Sequence, residues 1–290
     1  MKCSVFVPSH ITGFFEIIDH ENPLKKGSRG AGVVMDKGVI TKIKIKDGNG
    51  LNIKINGKND PYNVTITKKV IEIMKKDFNL DNKKIEIEHD VQLPIGAGFG
   101  TSAAFAIGTA LCISKTLKLP LTFNKAVQIA HIGEVKMKSG LGDVIAEING
   151  GITLRLKEGA PGIGITDKLV LDESEDLFVI SKIFGEIKTS DIIGDPFYKD
   201  KINFMGKNLL LKLINNPTPQ NFMNLSRKFA ENTGLMSKEV LETVKIFEEE
   251  TLGASMAMLG NTAFSISNTP DTSVENVIIS KIYHDGCKFL

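Results

Sequence analysis

The segment Leu93-Pro-Ile-Gly-Ala-Gly-Phe-Gly-Thr-Ser-Ala-Ala104 places three glycines at alternate positions between two patterned stretches. Before it, Ile85-Glu-Ile-Glu alternates apolar and charged residues, which is typical of a strand. After it, the residues from Ser102 to Leu117 are apolar on nearly every side, which indicates a helix buried in the core. Together the patterns predict a strand, a glycine loop and a buried helix.

The glycine loop is suited to hold a phosphate group. Gly96, Gly98 and Gly100 allow backbone N–H groups to approach an anion without a Cβ in the way. Thr101 and Ser102 add hydroxyl groups, and the following helix contributes the positive end of its dipole. The loop is neither a Walker A sequence nor a dinucleotide-binding fingerprint. A tight strand–helix turn that uses glycine for its geometry alone is the alternative.

Strand and helix patterns occur in both halves of the chain, which predicts an α+β fold. In the first half, Ile40–Lys46 alternates isoleucine with lysine, and Asp47-Gly-Asn-Gly50 leads into Leu51–Ile55. We expect these two strands to form a β-hairpin with an exposed lysine face. Glycine and proline concentrate at 159–164, which predicts two domains, residues 1–160 and 161–290.

The composition excludes several classes of protein. The chain has 290 residues, of which 42% are hydrophobic and 24% charged, as in ordinary globular proteins. Thirty-six basic and 34 acidic residues give a net charge of +2, which argues against a nucleic-acid or membrane partner. The longest apolar stretch, Ala103 to Ile113, is too short to span a bilayer. The three cysteines lack metal-ligand spacing. We expect a soluble, cytoplasmic protein.

Three segments resemble the GHMP kinases, the family of galactose, homoserine, mevalonate and phosphomevalonate kinases. The glycine loop is similar to their ATP-binding motif, usually P-x-G-x-G-L-G-S-S-A-A. Downstream, Gly133-Glu134, Ser139-Gly-Leu-Gly-Asp143 and Gly150-Gly151 follow in the family order. Val7-Pro-Ser-His-Ile-Thr-Gly-Phe-Phe-Glu16 stands where the family has A-P-G-K-x-x-L-x-G-E-H. The resemblance implies an N-terminal domain like the second domain of ribosomal protein S5, a ferredoxin-like C-terminal domain, and the use of ATP and Mg²⁺.

The sequence departs from the family pattern at two motifs. His10 occupies the place of the usual lysine, and the C-terminal motif G-A-G-x-G-G is represented by Gly253-Ala-Ser-Met-Ala-Met-Leu-Gly260. Ser9-His-Ile-Thr-Gly-Phe-Phe15 and Gly27-Ser-Arg-Gly-Ala-Gly32 look like the archaeal pantoate kinase branch. The resemblance therefore implies ATP-dependent phosphorylation of (R)-pantoate to 4-phosphopantoate in coenzyme A biosynthesis. It also permits a homodimer.

The resemblance further implies roles for single residues. It places Mg²⁺, which prefers oxygen ligands, on Ser102 and Glu134. The alternative for Ser102 is that it caps the helix N-terminus, and the alternative for Glu134 is that it is a solvated charge on a helix face. Asp143 is expected to accept the proton of the substrate hydroxyl, with capping of a helix from Val144 as the alternative. The residues expected to bind ATP are Pro94, Gly96, Gly98, Gly100, Thr101, Ser102 and Ala103.

Pantoate carries a carboxylate, for which a planar guanidinium is the matching partner. Arg155 is expected in a strand that follows the paired glycines, where it faces either solvent or the cleft. Arg29, in a glycine-flanked turn, could equally be an exposed arginine, and His131, on the helix face of Glu134, could be purely structural. The full set of expected substrate residues is Ser28, Arg29, His131, Arg155 and His10.

Other functions stay open at this point. The alternatives are another GHMP kinase acting on mevalonate, phosphomevalonate or homoserine, the related diphosphomevalonate decarboxylase, a catalytically silent ligand sensor, and an S5-like RNA-binding module. The intact set of Ser102, Glu134 and Asp143 argues against a sensor, which has no need of a base. The near-neutral charge argues against RNA binding.

Overall fold

The computed structural model of the protein describes residues 2–172, 176–187 and 189–290. Runs of strands and runs of helices follow one another along the described chain, as expected for an α+β fold. The strands are β1 (Lys2–Ile18), β2 (Gly27–Asp47), β3 (Gly50–Ile55), β4 (Lys83–Val91), β5 (Ile152–Lys157), β6 (Ile165–Lys168), β7 (Phe178–Glu186), β8 (Gly253–Met256), β9 (Gly260–Ser267), β10 (Ile278–Lys281) and β11 (Lys288–Phe289). The helices are α1 (Thr65–Asp77), α2 (Thr101–Thr116), α3 (Phe123–Met137), α4 (Asp143–Glu147), α5 (Thr189–Ile193), α6 (Pro196–Gly206), α7 (Leu209–Asn215), α8 (Pro219–Thr233) and α9 (Lys238–Glu250).

Most of the first sheet comes from the first half of the chain. Its main path runs β11-β1-β2-β4-β3, and β5 extends it by pairing with β2 and β6. The inward-facing residues of this sheet form one core with α1, α2 and α3. Helix α2 is buried on almost every side, as its apolar sequence predicts. Gly108 makes this possible, because a Cβ there would collide with the side chain of Thr41 on β2.

The predicted β-hairpin of residues 40–55 is wrong. β4 lies between β2 and β3, antiparallel to β2 and parallel to β3. The lysine–isoleucine alternation is nevertheless kept, since Ile43 and Ile45 are buried while the lysines between them face outward. An inserted strand pairs along both of its edges, which satisfies more backbone groups than a two-stranded hairpin would. Asp47-Gly-Asn-Gly50 therefore starts a crossover and not a hairpin turn.

The second sheet, β10-β7-β9-β8, is built from residues 178–281. The chain passes between the sheets after β6, later than the predicted boundary at 160, and β11 returns to the first sheet. A second core joins the two halves: Phe14 and Phe15 of β1 pack on Phe222 and Phe229 of α8, with ring centroids 6.3 Å and 5.7 Å apart. This shared core fixes the two sheets around the cleft described below.

Strand β2 is much longer than the predicted segment Ile40–Lys46, and β1 is nearly as long as β2. β1 and β2 pair from Lys2 with Lys44 to Ile18 with Gly27, with two register shifts. His10 therefore lies within a strand, and Ser28 and Arg29 also lie in a strand and not in the expected glycine-flanked turn. His10 packs closely over Gly32, where a Cβ would collide with its ring. Glycine is thus needed at position 32 because the His10 ring packs against it, and not because the chain turns there.

Candidate active site

Both halves of the chain line a cleft of about 360 Å³ above the glycine loop. The first half contributes the loop, the ends of α2 and α3, and the segment Ser139–Asp143. The second half contributes Glu186, the start of α5, and Met258 and Leu259 between β8 and β9. Several residues singled out from the sequence, among them Ser102, Glu134 and Asp143, therefore converge on one opening between the two halves.

The glycine loop requires glycine at each of the three alternate positions. Gly96, Gly98 and Gly100 have φ angles of 81°, 88° and 68°, which side chains rarely adopt. A Cβ on Gly98 would lie 3.1 Å from the backbone of Gly260, so the loop touches the C-terminal segment. Gly260 is equally constrained, because a Cβ there would collide with the carbonyl of Ala97. The atypical C-terminal motif thus still packs on the loop through its last glycine.

Helix α2 begins at Thr101 and directs its N-terminus into the cleft. Gly100 is the N-cap residue, and no side chain caps the helix, so Ser102 is not the N-cap. Thr101 is buried, and its Oγ1 has no hydrogen-bond partner in the described structure. Of the other residues expected to bind ATP, Pro94 is exposed and Ala103 is fully buried, and both lie outside the cleft lining. The uncapped helix end suits an anion.

Ser102 and Glu134 meet at the end of α2. Ser102 Oγ donates to Glu134 Oε1 at 2.5 Å, and Ser139 Oγ donates to the same oxygen at 2.6 Å. Glu134 is buried, which excludes the alternative of a solvated helix-face charge. Burial raises the pKa of Glu134 to about 7 against the opposing effect of the two hydroxyl donors, and the charge of Asp143 raises it further. A cation is the partner that would keep this carboxyl ionised.

Asp143 is held by His10. The His10 Nδ1 and Asp143 Oδ1 atoms are 2.8 Å apart. Burial raises the pKa of Asp143, but the hydrogen bond and charge of His10 and the charge of Arg155 outweigh it, so the net pKa is lowered. Burial lowers the pKa of His10, while the hydrogen bond and the charge of Asp143 oppose this shift. An ionised carboxylate can only accept, and therefore Nδ1 carries the proton that is donated to Oδ1.

Arg155 faces the cleft, not solvent. It lies on β5, is 1% exposed and lines the opening beside Asp143. Its Nε and Nη1 have no hydrogen-bond partner in the described structure. Burial lowers its pKa to about 10, partly offset by the charge of Asp143. A buried guanidinium with free donors is costly unless an anion reaches it, so the side chain is poised for a carboxylate.

Of the remaining residues expected to bind substrate, Ser28 lines the cleft, whereas Arg29 and His131 do not. Ser28 lines the cleft and packs against Gly142, together with Arg155. Arg29 Nη2 donates to Glu16 Oε2 at 2.8 Å, outside the cleft lining. His131 Nε2 lies 3.0 Å from the carbonyl oxygens of both Pro23 and Lys26, also outside the lining. The geometry of His131 is that of a buried residue that fixes the loop between β1 and β2.

Two features of the site were not found from the sequence. Glu147 is completely buried, both of its carboxyl oxygens lack partners in the described structure, and a Cβ on Gly100 would collide with it. Burial, together with the charges of Asp143 and Glu134, raises its pKa well above the ordinary range. The second feature is the need for glycine at two positions of Ser139-Gly-Leu-Gly-Asp143. A Cβ on Gly140 would collide with the Glu134 carboxyl, and a Cβ on Gly142 would lie 2.6 Å from Arg155 Nε.

The donor atoms fit a magnesium ion. Mg²⁺ is usually bound by one or two carboxylates together with substrate phosphates and water, and does not need a cage of protein ligands. Consistent with this, the described residues contain no cluster of three or more His, Cys, Asp or Glu side chains arranged to hold a metal ion. Glu134 supplies a buried carboxylate and Ser102 a hydroxyl, both at the N-terminus of α2. The pair is open towards the glycine loop, where phosphates would supply further oxygens.

Comparisons with known proteins agree with this geometry. A family model for the N-terminal domain of GHMP kinases matches residues 65–151. The chain is 40% identical to the pantoate kinase of Methanocaldococcus jannaschii over 286 residues, which cover 97% of this chain and 100% of the relative. The chain belongs to the pantoate kinase family of GHMP kinases. The mevalonate kinase of Thermococcus gammatolerans matches over 90 residues only, or 30% of this chain, at 28% identity.

Solved structures confirm the predicted GHMP kinase fold. A protein described as a phosphotransferase related to the CoA biosynthesis pathway superimposes with a TM-score of 0.86 and 34% identity. The match covers 100% of this member of the pantoate kinase family and 99% of the other chain. Among the described residues of the chain, no helix is long and apolar enough to cross a membrane.

Proposed function

We propose that the protein phosphorylates the primary hydroxyl of (R)-pantoate with Mg²⁺ and ATP, and yields 4-phosphopantoate and ADP. The observation that carries this proposal is the buried Arg155, whose unpartnered nitrogens lie beside the carboxylate of Asp143. An anion-binding group next to a base suits an alcohol that also carries a carboxylate, and pantoate is such a molecule. The full-length similarity to a pantoate kinase supports the same acceptor.

Asp143 would act on the acceptor hydroxyl. Its Oδ1 is occupied by the proton of His10 Nδ1, which leaves Oδ2 to accept from a substrate. The lowered pKa of Asp143 keeps the carboxylate ionised at neutral pH, as a group that orients or deprotonates a hydroxyl must be. His10 thus fixes the carboxylate in place, in the position where related kinases have a lysine.

Arg155 and Ser28 would hold the other end of pantoate. Both line the cleft, and both lie close to the point that a Cβ on Gly142 would occupy. A guanidinium binds a carboxylate through two parallel hydrogen bonds, which fixes the orientation of the acceptor as well as its affinity. The hydroxyl to be phosphorylated would then be directed at Asp143.

The nucleotide would lie along the glycine loop. Backbone N–H groups around Gly96, Gly98 and Gly100 and the uncapped N-terminus of α2 would bind its phosphates. Ser102 and Glu134 would hold Mg²⁺, which neutralises the charge that develops on the transferred phosphoryl group. The protein's own contribution is therefore to position the phosphates and the acceptor and to exclude water.

The test is coupled ADP release with Mg²⁺·ATP and (R)-pantoate, with mevalonate and homoserine measured in parallel. A strong rate with pantoate and background rates with the others would support the proposal. A rate with another acceptor would retain a GHMP kinase and reject pantoate. Location in the cytoplasm and assembly as a homodimer stay predictions, to be tested by cell fractionation and by sedimentation.

A further inference from the structure

Positive charge is scarce in the cleft. Among the described residues that line it, Lys138 and Arg155 are the two that carry a permanent positive charge. Arg155 is buried against Asp143, on the side where the acceptor is proposed to bind. His10, in the place of the family lysine, is buried outside the cleft lining, and its Nδ1 is occupied by Asp143. The same cleft is lined by the acidic residues Glu134, Asp143 and Glu186. It therefore offers little positive charge to balance the negative charge of a polyphosphate.

Lys138 is directed over the cleft by the backbone. It is the C-cap residue of α3 with φ 54° and ψ 35°, the left-handed conformation that residues other than glycine rarely adopt. This turn reverses the chain, so that Ser139 N–H donates to the carbonyl of Glu134 at 3.1 Å and Ser139 Oγ reaches the Glu134 carboxyl. The conformation that completes the Ser102–Glu134 pair thus also places Lys138 at its edge.

The side chain of Lys138 reaches across the opening. Its Nζ lies 3.9 Å from the point that a Cβ on Gly194 would occupy, in the segment before α6 of the second half. Lys138 is exposed, and no ion pair is recorded for it within residues 2–172, 176–187 and 189–290. Lys138 directly precedes Ser139 and both residues line the cleft, so the flexible lysine stem can bring its ammonium group to a phosphate bound there.

We propose that Lys138 binds the polyphosphate chain of ATP and supplies there the cation that His10 does not. The proposal rests on the proposed kinase function and deepens it by assigning a nucleotide-binding residue that the motif resemblance does not assign. Lysine binds phosphate as a point charge from a flexible stem, so its side chain need not be fixed before the nucleotide arrives. When ATP enters, the ammonium group would leave Gly194 and contact the phosphates beside Ser102 and Glu134.

The test compares Lys138→Met with Lys136→Met. Both lysines are exposed and close together at the end of α3, but Lys136 lies outside the cleft lining. Methionine keeps the Cβ and the chain length, so the left-handed backbone of residue 138 is equally strained in wild type and variant. We expect Lys138→Met to weaken calorimetric binding of the non-hydrolysable analogue Mg²⁺·AMPPNP about ten- to hundredfold, the range for a lost charged hydrogen bond. Lys138→Arg should retain most of the affinity.

The kinetic and thermal readouts separate binding from folding. We expect Lys138→Met to raise the KM for ATP, to leave the KM for pantoate and the Tm nearly unchanged, and to flatten the dependence of nucleotide affinity on salt concentration. Equal affinity of Lys138→Met and Lys136→Met for AMPPNP would overturn the proposal, and so would an effect confined to the KM for pantoate. Because AMPPNP binding needs no acceptor, a failure of pantoate phosphorylation would leave this result intact.

Discussion

Replacing Arg155 with methionine should stabilise the protein while it destroys pantoate binding. The guanidinium is 1% exposed, and burial lowers its pKa from its ordinary range to about 10. A charged base whose pKa is depressed on folding binds its proton more tightly in the unfolded chain. Its charge therefore lowers the free energy of unfolding at every pH below 10, and the penalty disappears as the pH rises from about 10 towards 12.5.

The size of the effect follows from the pKa. Each tenfold change in a protonation equilibrium is worth about 1.4 kcal/mol, so the buried charge of Arg155 lowers the free energy of unfolding by about 3 kcal/mol at neutral pH. Removal of one partner of a close buried ion pair would destabilise a protein, but Arg155 Nε and Nη1 have no hydrogen-bond partner in the described structure, so Arg155→Met breaks no such hydrogen bond. At about 2–4 °C per kcal/mol for proteins of comparable size, the Tm of Arg155→Met should rise by roughly 6 °C or more.

The assay is thermal unfolding at pH 7 with and without pantoate, together with the KM for pantoate. Wild type should be stabilised by pantoate, by about 2.7 kcal/mol at one hundred times its Kd, whereas Arg155→Met should not respond. The KM of the variant should rise at least tenfold, because charged hydrogen bonds of about 1.5–3 kcal/mol are lost. Arg29→Met is the matched control: Arg29 pairs with Glu16 outside the cleft, so no gain in Tm and no change in KM are expected. A lower Tm for Arg155→Met with an unchanged KM would refute the reasoning.

Three further substitutions test the site. Asp143→Asn should lower kcat by about 10²–10⁴-fold, because the acceptor for the hydroxyl proton is lost, while AMPPNP binding by calorimetry stays normal. Ser102→Ala should raise the Mg²⁺ concentration needed for half-maximal rate with little change in Tm, since the helix N-cap is Gly100; an unchanged Mg²⁺ dependence would remove Ser102 from the metal site. Glu147→Gln should increase the free energy of unfolding at pH 8 and leave it unchanged near pH 4.5. The raised pKa of Glu147 means that the folded chain holds a proton that the unfolded chain has released, so wild-type stability falls by up to about 1.4 kcal/mol per pH unit above 4.5. Denaturant titrations across this pH range would show no such fall relative to Glu147→Gln if the pKa of Glu147 were not raised in the folded protein.

The glycine loop and α2 could be predicted because their signals are local. A strand pattern, three glycines with positive φ and an apolar helix follow one another within one continuous segment, and each pattern reports on its own backbone conformation. The burial of Glu134 could also be inferred, since its apolar neighbours on α3 define a buried helix face. Such features need no knowledge of which distant elements meet.

The β2–β3 hairpin could not be excluded from the sequence, because strand partners are set by long-range pairing. The turn Asp47-Gly-Asn-Gly50 is compatible with a hairpin, and only the insertion of β4 between the two strands shows that it is not one. The His10–Asp143 contact is similar, since 133 positions separate the two residues. Their proximity follows from the length of β1, which the short apolar pattern at its start does not reveal.

Three buried ionisable side chains couple the folding of this site to the binding of its ligands. Glu134, Glu147 and Arg155 are all buried, and each has its pKa displaced towards the neutral form. In the protein alone these groups oppose folding, because burial without a full partner is unfavourable for each of them. A metal ion at Glu134 and a substrate carboxylate at Arg155 would remove two of these penalties, so ligand binding and folding stability are coupled through the same atoms. The proposed mechanism assigns no such ligand to Glu147, so the burial of this carboxyl opposes folding whether or not the substrates are bound.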